Sequence, residues 1–105
     1  MLETKLPNAG AHMMTVSSSA VSLETLITAA AGETFKIPND HDAVDLFAEA
    51  ESVRWLSDGN DPTSANGHLL AEGAITSLRG ESIKKMKLIA TGSDATVSVR
   101  IGINS

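Results

Sequence analysis

Between Val53 and Leu70 the chain sets two short apolar runs, Val53-Arg54-Trp55-Leu56 and His68-Leu69-Leu70, around Ser57-Asp58-Gly59-Asn60-Asp61-Pro62-Thr63 and Asn66-Gly67. Gly and Asn supply the positive φ that tight turns need, and Pro presets its own φ. Turn residues at this density commit the segment to two strands joined by a structured loop. Asp58, Gly59, Pro62, Asn66 and Gly67 are therefore read as structural turn residues, with Asp58 accepting N–H bonds inside its own turn. A β-architecture follows from these residues; a chemistry does not.

The same period of two recurs elsewhere. Phe35 and Ile37 alternate with Thr34 and Lys36 before the Pro38-Asn39-Asp40 turn, which predicts a strand. Val44, Leu46 and Ala48 share one face, with Asp45, Phe47 and Glu49 on the other. Val97, Val99, Ile101 and Ile103 alternate with Thr96, Ser98, Arg100 and Gly102, the cleanest pattern in the chain. His68–Ala71, Ile75–Leu78 and Ile83–Ala90 add short segments bounded by Gly73 and by Arg79-Gly80. Apolar residues on both faces of the strands around Phe47 and Trp55 fit a sandwich or a subunit contact. The predicted fold is all-β: a small antiparallel β-sandwich or jelly-roll-like barrel.

One short helical turn interrupts it. Ser22 suits an N-cap, Leu23, Leu26 and Ile27 share one helical face, Glu24 lies in the first turn, and Gly32 stops the run. Upstream, Met1 to Gly10 looks irregular, while Met14, Val16 and Ala20 are spaced to face inward along a strand. Residues 1–19 are accordingly read as an N-terminal arm with the first strand, and residues 20–105 as the β-sandwich domain. The arm is expected to reach a neighbouring subunit through Met13 and Met14, so that its removal leaves the monomer folded and weakens assembly.

With 105 residues there is room for one domain and one modest core. The only aromatics are Phe35, Phe47 and Trp55, so the core is thin and a share of the stability is expected from partner subunits. A net charge of −5 and a pI near 5.0 argue against binding a nucleic-acid backbone. No apolar run approaches the roughly 18 residues of a membrane span, and Met1–Gly10 has no signal-peptide core. Cysteine is absent, which removes disulfides and thiolate metal sites.

Candidate chemistry is equally sparse. Counted from Asp58 as an EF-hand loop, the sixth residue is Thr63 and the twelfth Leu69, where glycine and glutamate are required. His12, His41 and His68 are scattered and read as surface or turn residues; His41 and Asp45 would lie about 13 Å apart on a strand. No G-x-S-x-G elbow or phosphate-binding glycine loop is present. No catalytic residue, cofactor or metal is expected, and the chain is not read as an enzyme. Trp55 either fills the sandwich centre in phase with Val53 or offers a platform for a sugar ring. Lys84, Lys85 and Lys87 are expected to solvate one strand and discourage edge pairing.

The run from Arg54 to Leu70, together with Met86-Lys87-Leu88-Ile89-Ala90-Thr91-Gly92-Ser93-Asp94-Ala95-Thr96-Val97-Ser98-Val99, resembles small accessory proteins of tailed-phage virions. Arg54, Trp55, Asp58, Gly59, Pro62, Thr63, Gly67, His68 and Leu70 fall in order on their R-[FW]-x-x-D-G-x-x-P-T and G-H-x-L pattern, over about the C-terminal half. The resemblance implies a capsid decoration or cement subunit, commonly a homotrimer, that bridges copies of the major capsid protein on the outer surface of the virion after synthesis in the host cytoplasm. Met13, Met14 and Phe47 are the candidate interface residues under this reading. A looser similarity, confined to the Asp58–Thr63 turn, is to the fibronectin-III-like domain that ends some chitobiases. The alternatives are a carbohydrate- or receptor-binding module of a tail or spike, with Trp55 as platform, or a neck or tail component.

Overall fold

A computed structural model describes residues 2–3, 11–80 and 83–104. In chain order the described elements are β1 (Leu2–Glu3), β2 (Ala11–Val16), β3 (Val21–Ser22), α1 (Leu23–Ala31), β4 (Ala43–Ala50), β5 (Val53–Leu56), β6 (His68–Leu70), β7 (Ile75–Arg79), β8 (Lys87–Ala90) and β9 (Ala95–Asn104). Every strand pairing is antiparallel. The large sheet is built around β9, which pairs with β4 on one side and with β2 and β1 in succession on the other, while β7 flanks β4. The small sheet runs β3-β8-β5-β6. The two sheets form an open sandwich rather than a closed barrel.

Alternation in β9 places Ala95, Val97, Val99 and Ile101 inward. They join Met14 and Val16 of β2 and Val44, Leu46 and Ala48 of β4 in one core with Val53, Trp55, Leu70 and Leu88 of the small sheet. Val53 sits opposite Ala90 and Trp55 opposite Leu88, so the small sheet presents its apolar side in register.

The helix forms as its punctuation predicts. The Ser22 hydroxyl accepts the Thr25 N–H, and Gly32 closes the helix at φ 77° with its N–H on the Thr28 carbonyl. Leu23, Leu26 and Ile27 turn into the core.

Several expectations are revised. Residues 33–37 form no strand, although Phe35 and Ile37 are buried as their alternation demands. Side chains take the place of a ladder: the Thr28 hydroxyl bonds both the N–H and the carbonyl of Phe35, Glu24 accepts the Ile37 N–H at 2.6 Å, and Lys84 donates to the Ile37 carbonyl at 2.6 Å. Met14 is not an interface residue; it is wholly buried, as is Val16, and β2 pairs with β9 from Ala11↔Arg100 to Val16↔Ala95. Residues 11–16 are thus an integral strand, which argues against the expectation that removing residues 1–19 leaves the monomer folded. Within the Met1–Gly10 segment expected to be irregular, Leu2–Glu3 pairs with β9, and residues 1 and 4–10 lie outside the described residues.

His41 is a turn residue, its N–H closing on the Pro38 carbonyl, but it is 1 % exposed and so not on the surface, with Nδ1 3.1 Å from Asp40 Oδ1. The lysines do not guard an edge either, because β8 is an inner strand. Lys84 pairs with Glu24 at 2.9 Å, Lys87 with Asp61 at 2.8 Å, and the Lys85 stem passes over Gly59.

Candidate interaction face

The turn residues of the opening motif form a self-contained loop. Asp58 accepts the Asn60 N–H and its side-chain amide, both at 3.0 Å. Those two bonds hold the Asp58 carboxyl below the usual carboxylate range. Thr63 and Asn66 exchange backbone hydrogen bonds across the bend. Arg54 reaches over from β5 to donate to the Ser64 carbonyl at 3.1 Å and the Gly67 carbonyl at 2.9 Å. Pro62 is buried beneath. Asp58, Thr63 and Arg54 thus spend their bonds on shaping the loop, Asp61 pairs with Lys87, and among the described residues no cluster of three His, Cys, Asp or Glu side chains could hold a metal.

Trp55 belongs to the core. It is 7 % exposed, and the His68 ring, its direct cross-strand neighbour, lies on it at a centroid distance of 4.5 Å. A sugar platform needs an open ring face, which this packing does not leave.

The outer face of the large sheet is different. Its register aligns Met13 (β2), Ser98 (β9), Phe47 (β4) and Ile75 (β7) in one row across four strands. Met13 is 55 % and Ile75 69 % exposed, and Phe47 is half-buried between them. Two of the expected interface residues, Met13 and Phe47, thus meet on one surface; Met14, the third, points the other way. Ile75 was missed. Its signal was its phase, since it shares a strand face with Ser77 and Arg79 and not with the half-buried Leu78.

The adjacent row is charged: Arg100 on β9 sits opposite Asp45 on β4, which sits opposite Ser77 on β7. Arg79 Nη2 approaches Asp45 Oδ1 at 2.8 Å. Partial burial works against the Asp45 charge, but the Ser77 and Arg79 hydrogen bonds and the positive charges of Arg79 and Arg100 outweigh it, so its carboxyl titrates below the usual range. On the other side of the apolar row, the Ser98 hydroxyl donates to Glu49 and lies 3.5 Å from Met13 Sδ. Between the rows runs a shallow groove of about 310 Å3, lined by Phe47, Ile75, Asp45, Ser77, Ser98 and Arg100. Such a face can bind an apolar protein surface flanked by charge.

Comparison with known proteins adds no relative: no family model matches the chain, and no curated protein or solved structure matches it significantly.

Proposed function

We propose that the chain is a non-catalytic structural subunit of a tailed-phage virion, a decoration or cement protein that binds the major capsid protein on the outer shell. The observation that carries the assembly role is the Met13–Phe47–Ile75 row, an apolar stripe held open on a rigid sheet. Exposed apolar rows with charged borders mark protein contact surfaces. A cement subunit needs only such contacts in many copies, because multivalent attachment multiplies a modest interface. The virion assignment rests on the Arg54–Leu70 pattern, whose residues serve the fold as a turn scaffold. Trp55 is occupied by packing, so the carbohydrate-platform reading has no observation in its favour.

Co-sedimentation tests the assignment. Purified chain mixed with shells of the major capsid protein from the same phage should pellet with them saturably, at a fixed ratio to capsomers. If the chain stays in the supernatant at every shell concentration, the decoration reading is wrong.

A further inference from the structure

The outer face of the large sheet carries its own complement. Across β2, β9, β4 and β7 the apolar row reads Met13, Ser98, Phe47, Ile75, and across β9, β4 and β7 the neighbouring row reads Arg100, Asp45, Ser77. A half-turn about an axis lying in this face, parallel to the strands and midway between β9 and β4, exchanges β9 with β4 and β2 with β7. Each apolar residue then meets a neutral or apolar one, Met13 over Ile75 and Phe47 over Ser98. Within these two rows the charges meet their opposites, Arg100 over Asp45 and Asp45 over Arg100. The flexible Met13 thioether is delivered to the open groove beside Ile75.

The other two-fold, along the apolar row, sets Asp45 against Glu49 and is repulsive. Arg100 is exposed and makes no ion pair within 4 Å among the described residues, so it is available to a partner. An isologous contact requires a surface complementary to itself, and this one is.

We propose that this face binds the same face of a second copy of the chain, forming a two-fold dimer with strands of the two large sheets packed face to face. The pairing goes beyond the virion reading and does not depend on it. It gives two copies where the phage resemblance implies three. Four strands about 4.8 Å apart and about 20 Å long give roughly 400 Å2 in projection. That is a small interface, so the dimer forms in the micromolar range and responds to concentration.

Sedimentation velocity on the whole chain tests this. The wild type should move from monomer to dimer mass as concentration rises. Ile75→Asp, which places a carboxylate against the Met13 thioether, should weaken dimerisation at least roughly tenfold. Arg100→Glu alone and Asp45→Arg alone should each stay monomeric, since each homodimer would oppose like charges twice. An equimolar mixture of those two variants should recover dimer, because both trans pairs are then opposite in sign. A monomer at all concentrations, a trimer, or unaffected dimerisation in Ile75→Asp would each overturn the proposal. Should Asp45→Arg lose its fold along with its Arg79 contact, Arg100→Glu and Ile75→Asp decide it by themselves, and an undiminished dimer in either refutes it. Capsid binding is not measured in this experiment; the two readings share one face, so dimer and shell compete for it, while a chain that stays monomeric can still co-sediment and a dimer that does not co-sediment leaves this proposal standing.

Discussion

Gly67 shows how little freedom the Asp58–Gly67 scaffold leaves. It has φ 124°, and a Cβ there would lie 3.2 Å from the Trp55 carbonyl oxygen, 3.2 Å from Pro62 Cβ and 3.3 Å from Arg54 Cβ. Backbone and a buried proline cannot step aside, so Gly67→Ala should cost about 2 kcal/mol, read as a lower midpoint in urea unfolding. Gly59, at φ 91°, would meet only the Lys85 stem at 3.6 Å, and its substitution should cost less. Glu24 supplies a second single-residue test. Burial opposes its charge, yet the Lys84 ammonium, the Ile37 N–H and the positive charge of Lys36 together hold its pKa below the ordinary 4.5. The folded state therefore binds the Glu24 proton less readily than the unfolded chain. The resulting stability is complete above pH 4.5 and is lost as pH falls through the lower folded value. Glu24→Gln should remove about 1.5 kcal/mol at neutral pH and flatten the acid limb of a stability–pH curve. An unchanged acid limb would show that other carboxylates carry it.

Among the elements, α1 was legible almost to the residue because caps are local: Ser22 and Gly32 act within one turn of themselves. Residues 33–37 were not, because alternation reports which side chains are buried and is silent on what receives the backbone bonds. Here α1 and Lys84 receive them. The first long strand teaches the converse. Met14 and Val16 are wholly buried in the same core as Val97 and Val99, and β2 covers one side of β9. Deleting residues 1–16 exposes that edge and removes two core side chains, each costing on the order of 2 kcal/mol or more. Such a truncation should show no cooperative thermal transition by circular dichroism, whereas a cooperative melt near the full-length midpoint would show that β2 is dispensable.

For the molecule as a whole, the two faces of the large sheet divide the labour. The inner face is continuous with the core, and the outer face carries an apolar row that the fold itself does not use. Ile75 is 69 % exposed, so Ile75→Asp should change unfolding free energy by less than about 0.5 kcal/mol. Association and stability are then separable in one variant: a large fall in its melting temperature would mean that Ile75 belongs to the folding core instead.

Local residue types by themselves determined the β-class, the helix with both its caps, the loop from Asp58 to Gly67 as scaffold, and the inward phase of Val44 and Val97. All of these follow from backbone preference and a period of two or 3.6, which are readable within a few residues. Only the tertiary structure decided that Met13, Phe47 and Ile75 form one row, that Arg100 lies opposite Asp45, that His41 is buried, and that a helix rather than a neighbouring strand satisfies residues 35–37. Those outcomes depend on strand order and register, which bring together residues far apart in the chain, as in the Ser98 to Met13 contact across 85 positions. No local propensity encodes such pairings, because their free energy appears only when the two sheets close on a shared core.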